Sequence, residues 1–144
     1  MSDQNESPAD VVRALYAALA DGDVKGVLTR LAPDVTIDEP NRLPYGGVHR
    51  GREAFAEAVL GGITAHADFT ITGTDVFEGP AGIVGRLTGT LKARSSGEEY
   101  PLTLVEIHRV EDGLVQEIDV YTKNPEGVAE FFVHAETGAA GHSG

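Results

Sequence analysis

Ile83-Val84-Gly85-Arg86-Leu87-Thr88-Gly89-Thr90-Leu91-Lys92-Ala93-Arg94, closed by Ser95-Ser96-Gly97, is the stretch on which the fold turns. It is rich in β-branched and aliphatic residues and ends in turn formers, which reads as a strand entering a reversal. Gly85 and Gly89 alternate with Leu87 and Leu91 along it. Residues that small either let a sheet curve or leave room for a cavity, and curvature is the simpler reading. Three more runs share the pattern: Asp68 to Phe77, Tyr100 to Val110 and Leu114 to Thr122. Glu78-Gly79-Pro80 and Glu111-Asp112-Gly113 supply the remaining turns, so the second half reads as an antiparallel meander.

The first half has a different period. Ser7-Pro8-Ala9-Asp10 reads as an N-cap, a proline in the first turn and an acid near a helix N-terminus; Val12, Leu15, Tyr16 and Leu19 follow at helical spacing. Tyr16 therefore lies on the buried stripe. Gly22 ends this helix and Asp23 caps a second, whose apolar face is Val24, Val27, Leu28 and Leu31 before Pro33 stops it. A strand follows, then a loop from Asn41 to Val48 with Pro44 and Gly46-Gly47. A third helix starts near Gly51-Arg52-Glu53, turns Phe55, Ala58 and Val59 inward, and closes at Gly61-Gly62. Helices first and a curved sheet afterwards give an α+β fold, three N-terminal helices packed on a curved antiparallel sheet. Residues 1–7 read as a flexible N-terminus, 8–135 as one domain and 136–144 as a disordered tail.

The first strand, Asp34-Val35-Thr36-Ile37-Asp38-Glu39-Pro40, carries the first chemical candidate. Val35, Ile37 and Glu39 share one face, Thr36 and Asp38 the other. The apolar face is the core face, so Glu39 points inward. A carboxylate among Val and Ile is costly to ionise, and desolvation moves it towards the range a general base or acid needs. The plainer alternative is that Glu39 reaches water past Pro40.

The totals narrow the function classes. A chain of 144 residues suits one domain with a substantial core. Eleven Lys plus Arg against 23 Asp plus Glu, net -12, disfavour nucleic acid and anionic membranes as partners. With no cysteine there is no disulfide, thiol catalysis or cysteine metal site. The opening residues lack a basic segment followed by an apolar run, and nothing approaches the roughly 20 apolar residues of a membrane span, so the cytoplasm is the expected location. His49, His66, His108, His134 and His142 show no close ligand spacing, so no metal is expected. Glycine-rich phosphate loops and nucleophile elbows are absent.

Tyr16 followed by Asp21-Gly22-Asp23, the strand end Asp38-Glu39-Pro40, and Gly47-Val48-His49-Arg50-Gly51-Arg52-Glu53 together resemble the nuclear transport factor 2-like superfamily over roughly 8–132. Within it the chain is similar to the SnoaL-like and ketosteroid isomerase-like enzymes. The resemblance implies a cone-shaped, cystatin-like fold and no cofactor. It places a catalytic tyrosine at Tyr16, a carboxylate base before proline at Glu39 and a second acid at Glu106. In such enzymes the base takes a proton beside a carbonyl, while tyrosine and a neutral carboxylic acid hydrogen-bond the enolate oxygen. Both acids here are Glu where that pattern has Asp, which moves each reacting oxygen by about 1.5 Å, and the Asn41 to Val48 loop is longer.

Parity alone leaves Glu106 open. Leu102, Leu104, Glu106 and His108 share one face, while Thr103, Val105, Ile107 and Arg109 share the other, and both are apolar enough to be buried. One face can meet the helices and the other a second subunit; the resemblance favours Glu106 inward, with His108 beside it to hold the acid or shuttle a proton. Counting from the Gly113 turn, Val120 falls inward and Asp119 outward with Glu117 and Tyr121. Tyr45, His49, Arg50 and Arg52 belong beside a pocket mouth, Arg52 as a surface cap or salt bridge. The substrate-binding candidates are Tyr45, His49, Leu87, Leu91, Leu104, Ile118 and Val120. The expected activity is a cofactor-independent isomerase or cyclase acting on an apolar, polyketide- or steroid-like ketone, with Glu39 as base and Tyr16 and protonated Glu106 on the enolate. Epoxide opening by the same acids and a non-catalytic binding module of the same fold are the alternatives. A homodimer is expected from the apolar second sheet face.

Overall fold

A computed structural model describes residues 6–142, with side-chain surroundings through 138. Helix α1 (Pro8–Ala20) begins as its sequence dictates: Ser7 accepts a hydrogen bond from the Asp10 amide at 3.1 Å and Pro8 fills the first turn. Ala9, Val11, Val12, Leu15 and Tyr16 form its buried stripe. Of the segment expected to be flexible, Ser7 caps and Glu6 pairs with Arg30 at 2.8 Å, while 1–5 lie outside the described residues. Asp23 caps α2 (Val24–Thr29) through the Gly26 amide at 3.0 Å.

Helix α2 is shorter than its apolar spacing suggested. Leu31 and Pro33 belong to strand β1 (Leu31–Glu39), and Val24 is exposed. The reason is tertiary: Leu31 pairs with Val115, and an irregularity between Leu31 and Thr36 absorbs the proline, which has no ladder donor. The expected loop then contains a short edge strand, β2 (Gly47–Arg50), antiparallel to β1. The third helix starts with α3 (Arg52–Ala54), widens to π-helical geometry over Phe55–Leu60 and continues through Gly61-Gly62 as α4 (Gly61–Thr64). It does not stop at the glycines, because Gly62 is needed for contact: a Cβ there would lie 3.0 Å from Cβ of Tyr45.

Strands β3 (Ala67–Gly79), β4 (Gly82–Ala93), β5 (Glu99–Glu111) and β6 (Leu114–Thr122) form the meander. Asp112 and Gly113, both at positive φ, make the tight β5–β6 turn. The six-stranded sheet has the order β2-β1-β6-β5-β4-β3, with β1 parallel to β6 and every other pairing antiparallel. A further helix, α5 (Pro125–His142), follows β6 and runs through 136–142, where a disordered tail was expected. Val128, Phe131, Phe132 and Ala135 bury its inner side, and Ser95 Oγ donates to the Ala135 carbonyl at 3.5 Å. Those contacts hold the helix against the core as far as Ala135; 143–144 lie outside the described residues. The result is a mixed α+β fold, with helices over one face of a curved sheet.

Candidate active site

The inner face of the sheet is organised in rows. Ile37, Ile118, His108 and Ile83 form one row across β1, β6, β5 and β4. In the next, Val120 faces Glu106 and Glu106 faces Gly85, while Glu39, two residues beyond Ile37, extends the row on the far side of Val120. Strand spacing therefore sets the backbones of the two acids about 10 Å apart with Val120 between them.

Tyr16 reaches this row from α1. Its hydroxyl donates to Glu106 Oε1 at 2.7 Å, which settles the inward orientation that parity left open. The residue that permits this is Gly85, where an added Cβ would lie 2.0 Å from the Tyr16 hydroxyl oxygen. Gly89 makes the same kind of room for the ring of Phe69. The strand glycines thus receive aromatic rings, a role that curvature alone did not anticipate. Tyr16 is 1 % exposed, and its hydroxyl is held far above the usual tyrosine range by burial first, then by the charge and hydrogen bond of Glu106. It is a donor that stays protonated.

His108 is completely buried and meets Tyr16 edge to face at 5.7 Å. Its Nδ1 donates to the Ile83 carbonyl at 3.0 Å, since a carbonyl only accepts. That leaves Nε2 directed at Glu106 Oε1, 3.4 Å away. Glu39 is 6 % exposed, and its carboxyl is pushed up to about 8, chiefly by burial and then by the charges of Glu106 and Asp38. Tyr45, also buried, has its hydroxyl pushed up by burial and next by Glu39, so it too belongs to this neighbourhood. The arrangement offers a buried carboxyl near the neutral range on one side and a phenol, a carboxyl and an imidazole on the other. That is equipment for moving a proton next to a polarised oxygen.

A SnoaL-like domain model matches residues 12–118. The chain belongs to the SnoaL-like family. Solved structures with the same fold include an NTF2-like protein of unknown function from Burkholderia pseudomallei, 26% identical over 89% of this chain and 96% of that one, with a TM-score of 0.73. A candidate polyketide cyclase from Xanthomonas campestris is 22% identical over 88% and 97%, with a TM-score of 0.73. TerC, co-crystallised with polyporic acid, is 21% identical over 88% and 98%, with a TM-score of 0.75. No functionally curated protein matches the chain at a significant level.

In this SnoaL-like chain the inner face brings together Tyr16, Glu39, Glu106, His108, Leu87, Leu104, Ile118 and Val120, but not every expected residue. Leu91 is buried opposite Tyr100 and Phe69, six residues or about 20 Å along β4 from Gly85. It belongs to the far end of the core. His49 has no free Nε2, because that nitrogen donates to the Tyr45 carbonyl at 2.9 Å and so ties down the loop. Arg50 is exposed, and Arg52 makes no salt bridge among the described residues; its guanidinium donates to the Leu31 carbonyl at 2.8 and 2.6 Å. Asp119 lies on the outer face and accepts from Tyr121 at 2.6 Å. Phe132 of α5 meets Tyr45 edge to face at 5.6 Å, a contact that required the unforeseen helix. Among the described residues no group of His, Asp or Glu is arranged to hold a metal ion, and no helix is long and apolar enough to cross a membrane.

Proposed function

We propose that the protein is a cofactor-independent isomerase or cyclase that forms an enolate from an apolar ketone. The observation that carries this reading is the pairing across Val120 of buried Glu39 with the Tyr16–Glu106 hydrogen bond. Glu39 as carboxylate removes a proton from the carbon beside the carbonyl. The electron pair of that C–H bond becomes the C=C of an enolate, and the charge moves to oxygen. Tyr16 turns its single hydroxyl proton from Glu106 to that oxygen, and Glu106 donates to the same oxygen when it carries a proton. The proton on Glu39 then returns to another carbon in an isomerisation, or the enolate carbon attacks a second carbonyl in a cyclisation. Preorganised donors in a site shut off from water contribute several kcal/mol at such an oxyanion. Membership of the SnoaL-like family and neighbours named as candidate polyketide cyclases support a polyketide-like ketone as the substrate class.

The test is proton exchange with a panel of polycyclic ketones, 2-tetralone first, in deuterated buffer. The expected result is protein-dependent loss of the α-proton NMR signal above the buffer rate, falling about a hundredfold in Tyr16→Phe, the scale for losing one oxyanion donor. A protein that only holds its ligand would leave every ketone at the buffer rate.

The outer face of the sheet supports a homodimer. Val105 and Ile107 are half-buried beside exposed Tyr121, with exposed Phe77 two strands from Ile107, and apolar side chains so placed on a sheet face are usually covered by a partner. Light scattering at micromolar concentration should give about twice the chain mass of 15.2 kDa; the monomer mass would remove the dimer.

A further inference from the structure

Two shielded side-chain polar atoms lack a hydrogen-bond partner among the described residues, His108 Nε2 and Thr122 Oγ1. The first faces Glu106 and belongs to the proton-transfer centre. The second has no such explanation. Thr122 lies on the inner side of β6 with Ile118 and Val120, and its register partner on β5 is Leu104. It is two residues past Val120, about 7 Å along the strand from the row that holds Glu39 and Glu106. With Glu39, Pro40, Asn41 and Val120, and with Asp38, Asp119 and Tyr121 from the outer face, it lines a cleft of ≈ 350 Å³ that opens around the strand ends. A hydroxyl kept from solvent without a partner is unfavourable, and valine would fill the same shape at no such cost. The site is therefore polar at a position where packing alone calls for an apolar residue.

We infer that the Thr122 hydroxyl hydrogen-bonds a second oxygen of the substrate, so that the substrate is a ketone bearing a further hydroxyl or carbonyl group across a fused pair of rings from the reacting one. A threonine hydroxyl both donates and accepts, so either group fits it. Thr122 lies two strands across and two residues along from Gly85, where the Tyr16 hydroxyl sits, so the backbones are about 12 Å apart and the two oxygens belong at opposite ends of a fused pair of rings. A ketone with a single oxygen would leave Thr122 unpartnered, and selectivity arises because a polar group made for an oxygen is penalised when none arrives. This inference rests on the proposed reaction only for which oxygen meets Tyr16; the contact at Thr122 is a matter of binding.

The experiment uses the intrinsic fluorescence of naphthols, which is readily seen because the chain has no tryptophan. Affinities of 2-naphthol, 2,6-dihydroxynaphthalene and 2,7-dihydroxynaphthalene are compared for the wild-type protein, Thr122→Val and Thr122→Ser. Wild type should bind at least one diol about fivefold to tenfold more tightly than 2-naphthol, the effect of one neutral hydrogen bond. Thr122→Val should lose that preference with unchanged 2-naphthol affinity, and Thr122→Ser should keep it. A diol preference that survives in the valine variant overturns the inference, as does wild-type protein that binds all three equally or none. If Thr122→Val does not fold, Thr122→Ala, which also removes the hydroxyl, is read in its place. Diol preference without ketone proton exchange would remove the catalytic reading and leave the Thr122 contact standing.

Discussion

Glu39→Gln should lower turnover by at least about a hundredfold on the ketones that exchange their protons, with the fold intact, because Gln keeps the size of the side chain and loses the base. The pH profile sharpens this expectation. With its carboxyl pushed up to about 8, only about one Glu39 in ten is ionised at pH 7. A base must be ionised, so kcat/KM of the wild-type protein should rise about tenfold per pH unit below about 8 and level off above it. The residual rate of Glu39→Gln should lack that limb. If the wild-type profile instead falls as pH passes 8, Glu39 acts as an acid and the direction of proton transfer is reversed. Near-normal turnover in Glu39→Gln would remove it from the reaction altogether.

Strand parity was sufficient for Glu39 and Val120, because β1 and β6 each bury one face against the helices and expose the other. It failed for Glu106, because β5 is apolar on both faces; only the Tyr16 hydrogen bond from α1, 90 positions away in sequence, distinguishes them. The row that sets Glu39 beside Val120 depends on β1 lying parallel to β6, a long-range pairing with no local signature. Leu31 and Pro33 were misread for the same reason, since the tertiary pairing with Val115 overrode the helical spacing.

Other features were legible and passed over. Pro125 followed by Val128, Phe131, Phe132 and Ala135 is an N-terminal proline with i, i+3, i+4, i+7 spacing, the pattern of the helix that now presses Phe132 on Tyr45. Thr122 follows from the same parity that placed Val120, two residues on. Gly85 was visible as a small residue on the inner face, but the ring it receives comes from α1, so its purpose could be read only from the packed structure.

The second large effect is on stability, and its sign is opposite to the effect on turnover. Glu39 is raised from an ordinary 4.5 to about 8 in the folded protein. Between those values the folded state holds a proton that the unfolded state has released, so stability falls as pH rises. The contribution of the neutral carboxyl is complete below about 4.5 and is lost as pH passes through about 8. Three to four pH units correspond to a penalty on the order of 3–5 kcal/mol at pH 9, since the carboxylate is buried and the charges of Glu106 and Asp38 repel it. Gln cannot ionise and removes this term, while whatever its amide costs by burial is the same at every pH. Glu39→Gln should therefore melt about 10 °C above wild type at pH 9, on the scale of a few degrees per kcal/mol for a domain of this size, after subtracting the difference measured at pH 4.5. Scanning calorimetry at the two pH values checks it. Parallel pH dependence in wild type and variant would mean that Glu39 ionises freely in the folded state, and a freely ionised Glu39 is not the desolvated base on which the proposed reaction depends.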